Sequence, residues 1–292
     1  METQTPNKLR PEAILGVVAA GLAVLLMVLT LLCWPSITAQ PEPTTIPTVP
    51  TTQPPTTVPT EPPTEPTEPP ERNPYGKLDF QYDGDYLSCL RTETVPGIDV
   101  SAFQGEVDWE QVAASGIEFA IIRLGYRGYG KAGTLVEDEY ARQNLAGATA
   151  AGLDVGVYFF SQAVSTEEVA EEVDFMLQIL GDYELTMPVV FDWEYVSDTA
   201  RTANVDKRTL TDCALEFCRL VEARGYQPMV YFNSYQSRHM MHLKELESYP
   251  FWLAFYSDRM TYPYKIDMWQ YTCTGKVPGI QGDVDINVRF FH

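Results

Sequence analysis

Eight short apolar segments recur between residues 97 and 290, and helix-like stretches separate the first five. The segments are GIDVS (97–101), FAIIRLGY (119–126), DVGVYFFS (154–161), MPVVFDWE (187–194), QPMVYFNS (227–234), FWLAFYS (251–257), IDMWQYT (266–272) and DVDINVRF (283–290). Helix-like stretches lie around 108–115, 137–151, 166–180 and 208–224. Apolar runs this continuous belong to strands buried on both faces, and alternation of strand with helix implies a parallel sheet covered by helices. The last three strands have short connections with little helix. The pattern therefore predicts an α/β fold, an irregular TIM-like (β/α) barrel that is strand-rich in its last third. Thr166 before Glu167-Glu168 reads as a helix start and Gly225 after Arg224 as a stop.

The fourth segment ends unusually: MPVVFDWEY runs from apolar residues straight into two carboxylates, Asp192 and Glu194. Residues two apart on a strand share a face, so the two acids lie side by side, with Cα atoms roughly 6–7 Å apart. In a barrel of parallel strands the active site gathers at the C-terminal strand ends. The polar residues there are Asp99 and Ser101 on the first strand, Asp192 and Glu194 on the fourth, Asn233 on the fifth and Gln270 on the seventh. The eighth adds Asp283, Asp285 and Asn287. Tyr126, Tyr158, Phe160, Trp193, Tyr231, Trp252, Tyr256 and Trp269 crowd the same ends. Acids ringed by aromatic and amide side chains describe a carbohydrate site. Clustered acids in a half-buried cleft also raise each other's pKa, so that one stays protonated and serves as an acid.

Structural roles compete for many of these residues. An Asp at a strand end commonly caps a helix or forms a turn; Asp108 before Trp109 reads as a cap and Asp283 in QGDVD as a turn residue. Phe159, Phe191 and Tyr271 need no role beyond core packing. Such roles account poorly for a same-face acid pair directly after VVF, with further acids on the first and eighth strands, which become neighbours when the barrel closes.

The N-terminal quarter is a different kind of chain. From Ile14 to Leu32 there is no charge, Cys33-Trp34 extends the run, and at about 1.5 Å per residue this stretch spans a bilayer core. Lys8 and Arg10 precede it and the next basic residue is Arg72, which predicts a cytoplasmic N-terminus (1–13), a transmembrane signal-anchor at 14–34 and an outward-facing remainder. A cleaved signal peptide is the rival, but ITAQ (37–40) is a poor cleavage site. Residues 35–74, almost all Pro, Thr and Glu, cannot bury a core and read as a disordered, extended linker. The barrel domain then covers 75–292, with its core at 96–292 and NPYGKLDFQYDGDYLSCLRT as an N-terminal extension packing on it. The net charge of −20 and the lack of any basic cluster argue against nucleic acid as a partner. Cys89, Cys213, Cys218 and Cys273 show no metal-binding spacing and read as free thiols, with a Cys89–Cys273 bridge as the alternative. No cofactor or metal is expected.

GIDVSAFQGEVDWEQVAASGIEFAIIRLGYRG, VGVYFFSQA, PVVFDWEYV and MWQYTCTGKVPGIQGDVDIN, in that order, resemble glycoside hydrolase family 25, the Chalaropsis-type lysozymes. The resemblance covers about 96–292 and implies a modified (β/α) barrel that cleaves the β-1,4 bond between N-acetylmuramic acid and N-acetylglucosamine in peptidoglycan. It implies Glu194 as general acid, with Asp192 as its partner and Asp99 and Asp285 completing the catalytic set. Substrate contacts are expected from Tyr126, Tyr158, Phe160, Tyr231, Asn233, Trp252, Tyr256, Trp269, Gln270 and Asn287. The whole reading is of a monomeric enzyme anchored in a bacterial cell membrane and acting on peptidoglycan glycan strands outside it. The rival from another class is a non-catalytic wall-binding or scaffold protein on the same fold. A chitinase would need further aspartates earlier on the strand, as in D-x-x-D-x-D-x-E, and this chain has Val190 at one of those positions.

Overall fold

The structure, a computed structural model, describes residues 68–291; the expected tail, the anchor and most of the linker lie outside these residues. Among the described residues no helix is long and apolar enough to cross a membrane.

An N-terminal hairpin, β1 (Phe80–Asp83) and β2 (Tyr86–Cys89), precedes the barrel strands. These are β3 (Thr94–Val100), β4 (Phe119–Arg127), β6 (Asp154–Ser161), β7 (Val189–Trp193), β8 (Pro228–Asn233), β9 (Phe251–Ala254), β10 (Met268–Gly275) and β11 (Val284–Phe290). Between β4 and β6, a short β5 (Leu135–Glu137) pairs antiparallel with the end of β4. The strands run round the sheet as β3-β11-β10-β9-β8-β7-β6-β4, and pairing of β3 with β4 closes an eight-stranded barrel. β3 to β10 follow one another in parallel, whereas β11 is antiparallel to both neighbours. The short 276–283 connection explains the reversal, since a parallel return needs a crossover of about a dozen residues or more. Asp285 therefore lies at the start of β11 and Asn287 at its middle, not at a C-terminal end, and Asp283 precedes the strand. Asp285 still reaches the barrel mouth because that strand runs the other way.

Helices α1 (Trp109–Ala114), α2 (Ala141–Ala150), α3 (Thr166–Leu180) and α4 (Lys207–Ala223) make the first crossovers, and two short helices, α5 (Ser234–His239) and α6 (Leu243–Leu246), stand before β9. Asp108 caps α1, its carboxylate accepting from the Gln111 N–H at 3.1 Å. Ser165, not Thr166, caps α3. Chain reversal after α4 falls at Gly225, whose φ of +86° suits glycine.

Strand alternation sorts the core into two layers. Outward-facing Ile98, Ile122, Leu124, Phe191, Val230, Phe232, Leu253 and Ile286 join the helices in one large cluster. Inward-facing Phe119, Ile121, Met187, Val190, Met229, Tyr231, Trp252 and Met268 fill the barrel. A side chain on Gly97 would lie 2.4 Å from the Phe119 ring, so the bare backbone of β3 makes room for that plug. Above it the inward positions turn polar, and the site begins there.

The hairpin packs on the outside of the barrel. Phe80 meets Trp269 edge-on at 5.1 Å and Phe290 at 5.9 Å, and Tyr75 stacks on Phe290 at 5.4 Å. The Leu87 N–H donates to the Tyr271 hydroxyl at 3.3 Å. Ahead of the hairpin, Arg72 bridges to Tyr264, and the Asn73 N–H donates to the Pro263 carbonyl at 3.0 Å.

Candidate active site

Four carboxylates from three strands converge on one cavity of about 220 Å³ at the barrel mouth: Asp99, Asp192, Glu194 and Asp285 all line it. Asp99 on β3 and Asp285 on β11 are direct cross-strand partners. Asp192, next to last on β7, lies between Phe160 of β6 and Tyr231 of β8.

Asp99 is held by two amides. Its Oδ2 accepts from Gln270 Nε2 at 2.8 Å and from Asn287 Nδ2 at 2.8 Å. Each amide is oriented in turn by aromatic donors. The Tyr231 and Tyr256 hydroxyls donate to Gln270 Oε1 at 3.3 and 3.2 Å, and Trp252 Nε1 donates to Asn287 Oδ1 at 2.8 Å. Asp192 is treated differently: it is buried, and its Oδ1 has no hydrogen-bond partner. A buried acceptor left open is costly, of order 1–3 kcal/mol, unless a ligand or a proton satisfies it.

Burial raises all four acids. Asp192 is pushed well above the usual carboxylate range, by burial first and then by the charges of Glu194 and Asp99. Glu194 is raised by burial and then by Asp285. Asp285 moves to about 8, through burial and then Asp99. Asp99 reaches only about 6, because hydrogen bonds from Asn287 and Gln270 offset much of its burial. Four acids in so small a space do not ionise together, so protons are retained there at neutral pH. One cation tempers the cluster: Arg123 lines the same cavity and lowers Asp192.

The segment bearing Glu194 is positioned by its backbone. Trp193 points outward into the core, where its Nε1 donates to the Ala163 carbonyl at 3.0 Å. Gln236 Nε2 donates to the Trp193 carbonyl at 2.6 Å, and Gln162 Nε2 to the Glu194 carbonyl at 2.7 Å. Two buried glutamines thus pin consecutive carbonyls and leave the Glu194 side chain to the cavity.

Most of the expected residues meet here: Tyr158, Phe160, Tyr231, Trp252, Tyr256 and Gln270 line the cavity with the four acids. Four expected contacts sit elsewhere. Trp269 faces out under the N-terminal hairpin, its Nε1 bonded to the Phe255 carbonyl; strand alternation forbids it from sharing the interior with adjacent Gln270. Asn233 caps α5, accepting from the Tyr235 and Gln236 N–H groups. Asn287 is fully buried behind Asp99. Tyr126 lines a neighbouring groove. The sequence reading missed Arg123, Phe103 and Gln104. Arg123 was concealed in the apolar run FAIIRLGY, where a charge flanked by isoleucine and leucine was the available signal. Cys89, Cys213, Cys218 and Cys273 are free thiols, and Asp283 sits before β11, ion-paired with Lys276 at 2.7 Å.

A closed, mostly parallel barrel with paired acids at its mouth, set among aromatic rings and amides, is the arrangement of a glycoside hydrolase. The sequence model described as Glycosyl hydrolases family 25 matches residues 98–280, and the chain belongs to that family. It is an enzyme, a glycoside hydrolase of the lysozyme kind. The chain is similar to "Lysozyme M1" of Streptomyces globisporus, 28% identical over 210 residues that cover 67% of this chain and 68% of the relative. Among solved structures it is similar to the bacterial lysozyme from Streptomyces coelicolor (TM-score 0.56, 25% identity, 68% of this chain and 94% of the other). It is also similar to the modular autolysin LytC from Streptococcus pneumoniae (TM-score 0.58, 26% identity), where the match covers 68% of this chain and 47% of the longer autolysin. LytC has also been solved in complex with synthetic peptidoglycan ligand.

Proposed function

We propose that this protein is a membrane-anchored peptidoglycan hydrolase that cuts the β-1,4 bond between N-acetylmuramic acid and N-acetylglucosamine. The observation that carries the reading is the convergence of Asp99, Asp192, Glu194 and Asp285 on one aromatic-lined cavity. Glu194 is the general acid: burial raises its pKa, and its carboxyl accepts no hydrogen bond from the described residues, so its proton is free to go to the glycosidic oxygen. Asp192 stabilises the positive charge that develops at the sugar, by direct attack or by orienting the substrate's 2-acetamido group through its unpartnered Oδ1. Asp99, fixed by Gln270 and Asn287, and Asp285 beside it set the charge of the pair. Tyr158, Phe160, Tyr231, Trp252 and Tyr256 offer rings and hydroxyls to the sugar.

The test is the bond that is cut. Digestion of purified peptidoglycan, borohydride reduction and acid hydrolysis should yield muramitol, with glucosaminitol no higher than in an undigested control. Glucosaminitol as the main product would overturn the assignment. Glu194→Gln should fold normally and lose nearly all turnover, since an amide delivers no proton, general acid catalysis being worth roughly 10²–10⁴-fold. Residual lysis of more than a tenth of wild type would remove Glu194 from that role.

A further inference from the structure

The catalytic cavity continues into a second groove of about 640 Å³, and Arg123, Phe103 and Phe160 line both. The groove is mainly apolar, walled further by Tyr126, Tyr129, Val136 and Val196. Tyr129 is 61% exposed and Phe103 85% exposed, more than core packing would leave to large rings. Arg123 stands at the junction. Its Nε is bound to Asp138 Oδ2 at 2.8 Å, and its guanidinium lies over the Phe103 and Tyr126 rings at 5.1 and 5.5 Å. Nη1 and Nη2 donate to nothing among the described residues. Glu139, also on the lining, is exposed and makes no ion pair among the described residues, whereas Glu137 is engaged by Arg142.

A structural and electrostatic role for Arg123 accounts for its Nε bond to Asp138 and for its tempering of Asp192. It does not account for two open donors facing a cavity of acids, nor for an apolar trough running away from them. The backbone of a glycan strand presents hydroxyls and acetamido groups, none of which needs a cation or a hydrophobic trough. Its muramic acid carries something that does: a lactyl group joined to a peptide whose small apolar side chains alternate with carbonyl and carboxylate oxygens.

We propose that this groove seats the peptide stem of the muramic acid, with Arg123 hydrogen-bonding the carbonyl or carboxylate oxygens nearest the sugar. This rests on the muramidase reading and extends it: the enzyme recognises peptide-bearing strands in preference to bare glycan. Continuity with the cavity places the stem, the guanidinium selects its oxygens, and the aromatic walls take its methyl groups.

The experiment uses the full chain and two substrates: soluble peptidoglycan strands with peptides, and the same strands stripped by an amidase. Wild type should favour the peptide-bearing strands by about tenfold in kcat/KM, equivalent to ~1.4 kcal/mol. Tyr129→Ala, which removes an exposed wall, and Val196→Trp, which fills the trough from a loop, should bring that ratio close to one. Equal wild-type rates on both substrates would overturn the proposal. So would variants that slow both substrates equally, because the groove would then hold sugars. A second measurement needs no turnover: calorimetry of Glu194→Gln with a disaccharide muramoyl dipeptide should show binding about tenfold tighter than with the peptide-free disaccharide. Equal affinities would refute the peptide groove, whereas failure of the muramidase reading shows separately, as no cleavage of either strand.

Discussion

Asp285 holds its proton to about 8, mainly because burial makes the carboxylate costly, and the unfolded chain releases that proton near 3.8. The native state therefore binds more protons than the unfolded state between these values. Its contribution to stability is fully present below the lower value and is lost as pH rises to the upper. Asp192 and Glu194 are displaced in the same direction. Asp285→Asn removes one of these charges, so it should stabilise the fold at pH 8 by on the order of 1 kcal/mol, about 2–4 °C in Tm for a domain of this size. At pH 4 the gain should vanish. Thermal melts at the two pH values check this, and an equal change at both would mean that Asp285 ionises in the folded protein without cost. For activity the sign is the same: Glu194 works protonated, so hydrolysis should persist above the usual glutamate range and fall as pH rises further.

At the scale of elements, β7 is a short buried strand whose value lies in where it stops. The chain stays extended through Trp193 because that indole is anchored outward and because Gln236, at the start of α5, takes the Trp193 carbonyl. Gln236 also accepts from the Asn233 N–H at 3.0 Å, so one amide ties the end of β8 to the end of β7. Gln236→Ala leaves the buried Trp193 carbonyl unpaired and should cost about 1–3 kcal/mol, read as a lower urea midpoint. It should also lower kcat more than it raises KM, since Glu194 would be misplaced while the sugar-lining rings stay. Unchanged kcat in a stably folded variant would show that Glu194 does not depend on this anchor. The β4 bulge between Arg123 and Gly125 matters in the same way. Plain alternation from Phe119 and Ile121 brings Arg123 to the cavity, and the shift at the bulge brings Tyr126 to the groove beside it.

For the whole molecule, closing the barrel leaves Trp269, Tyr271 and Phe290 on an outer face that no helix among the described residues covers, because β10 and β11 are joined without one. The hairpin serves as that cover. Phe80→Ala should destabilise the domain by about 3 kcal/mol, within the range for a buried Phe, and a chain starting at Thr94 should aggregate as its exposed rings associate. A midpoint unchanged by Phe80→Ala would make the hairpin ornamental. The proposed anchor has its own test, motivated by Lys8, Arg10 and the uncharged 14–32 run. Full-length protein should sediment with membranes, and its barrel should be open to added protease once the wall is removed. A soluble form beginning near Gln40 would identify a cleaved signal instead.

The barrel class, its eight strands and the acid quartet could be read from the chain alone, for a local reason. Continuous apolar runs mark strands buried on both faces, period-two alternation puts Asp192 beside Glu194, and Asp108 caps its helix through its own neighbours. Tertiary structure decided what depends on pairing. Nothing within DVDINVRF says that β11 runs antiparallel; the short 276–283 connection imposes that, and closure against β3 sets Asp285 directly opposite Asp99. Nor does MWQ say which residue looks inward. Ring closure sent Gln270 to Asp99 and Trp269 to the hairpin, and the β4 bulge placed Tyr126 where uniform alternation would not. Sequence periodicity defines two faces of a strand, but only the closed sheet determines which of them is inside.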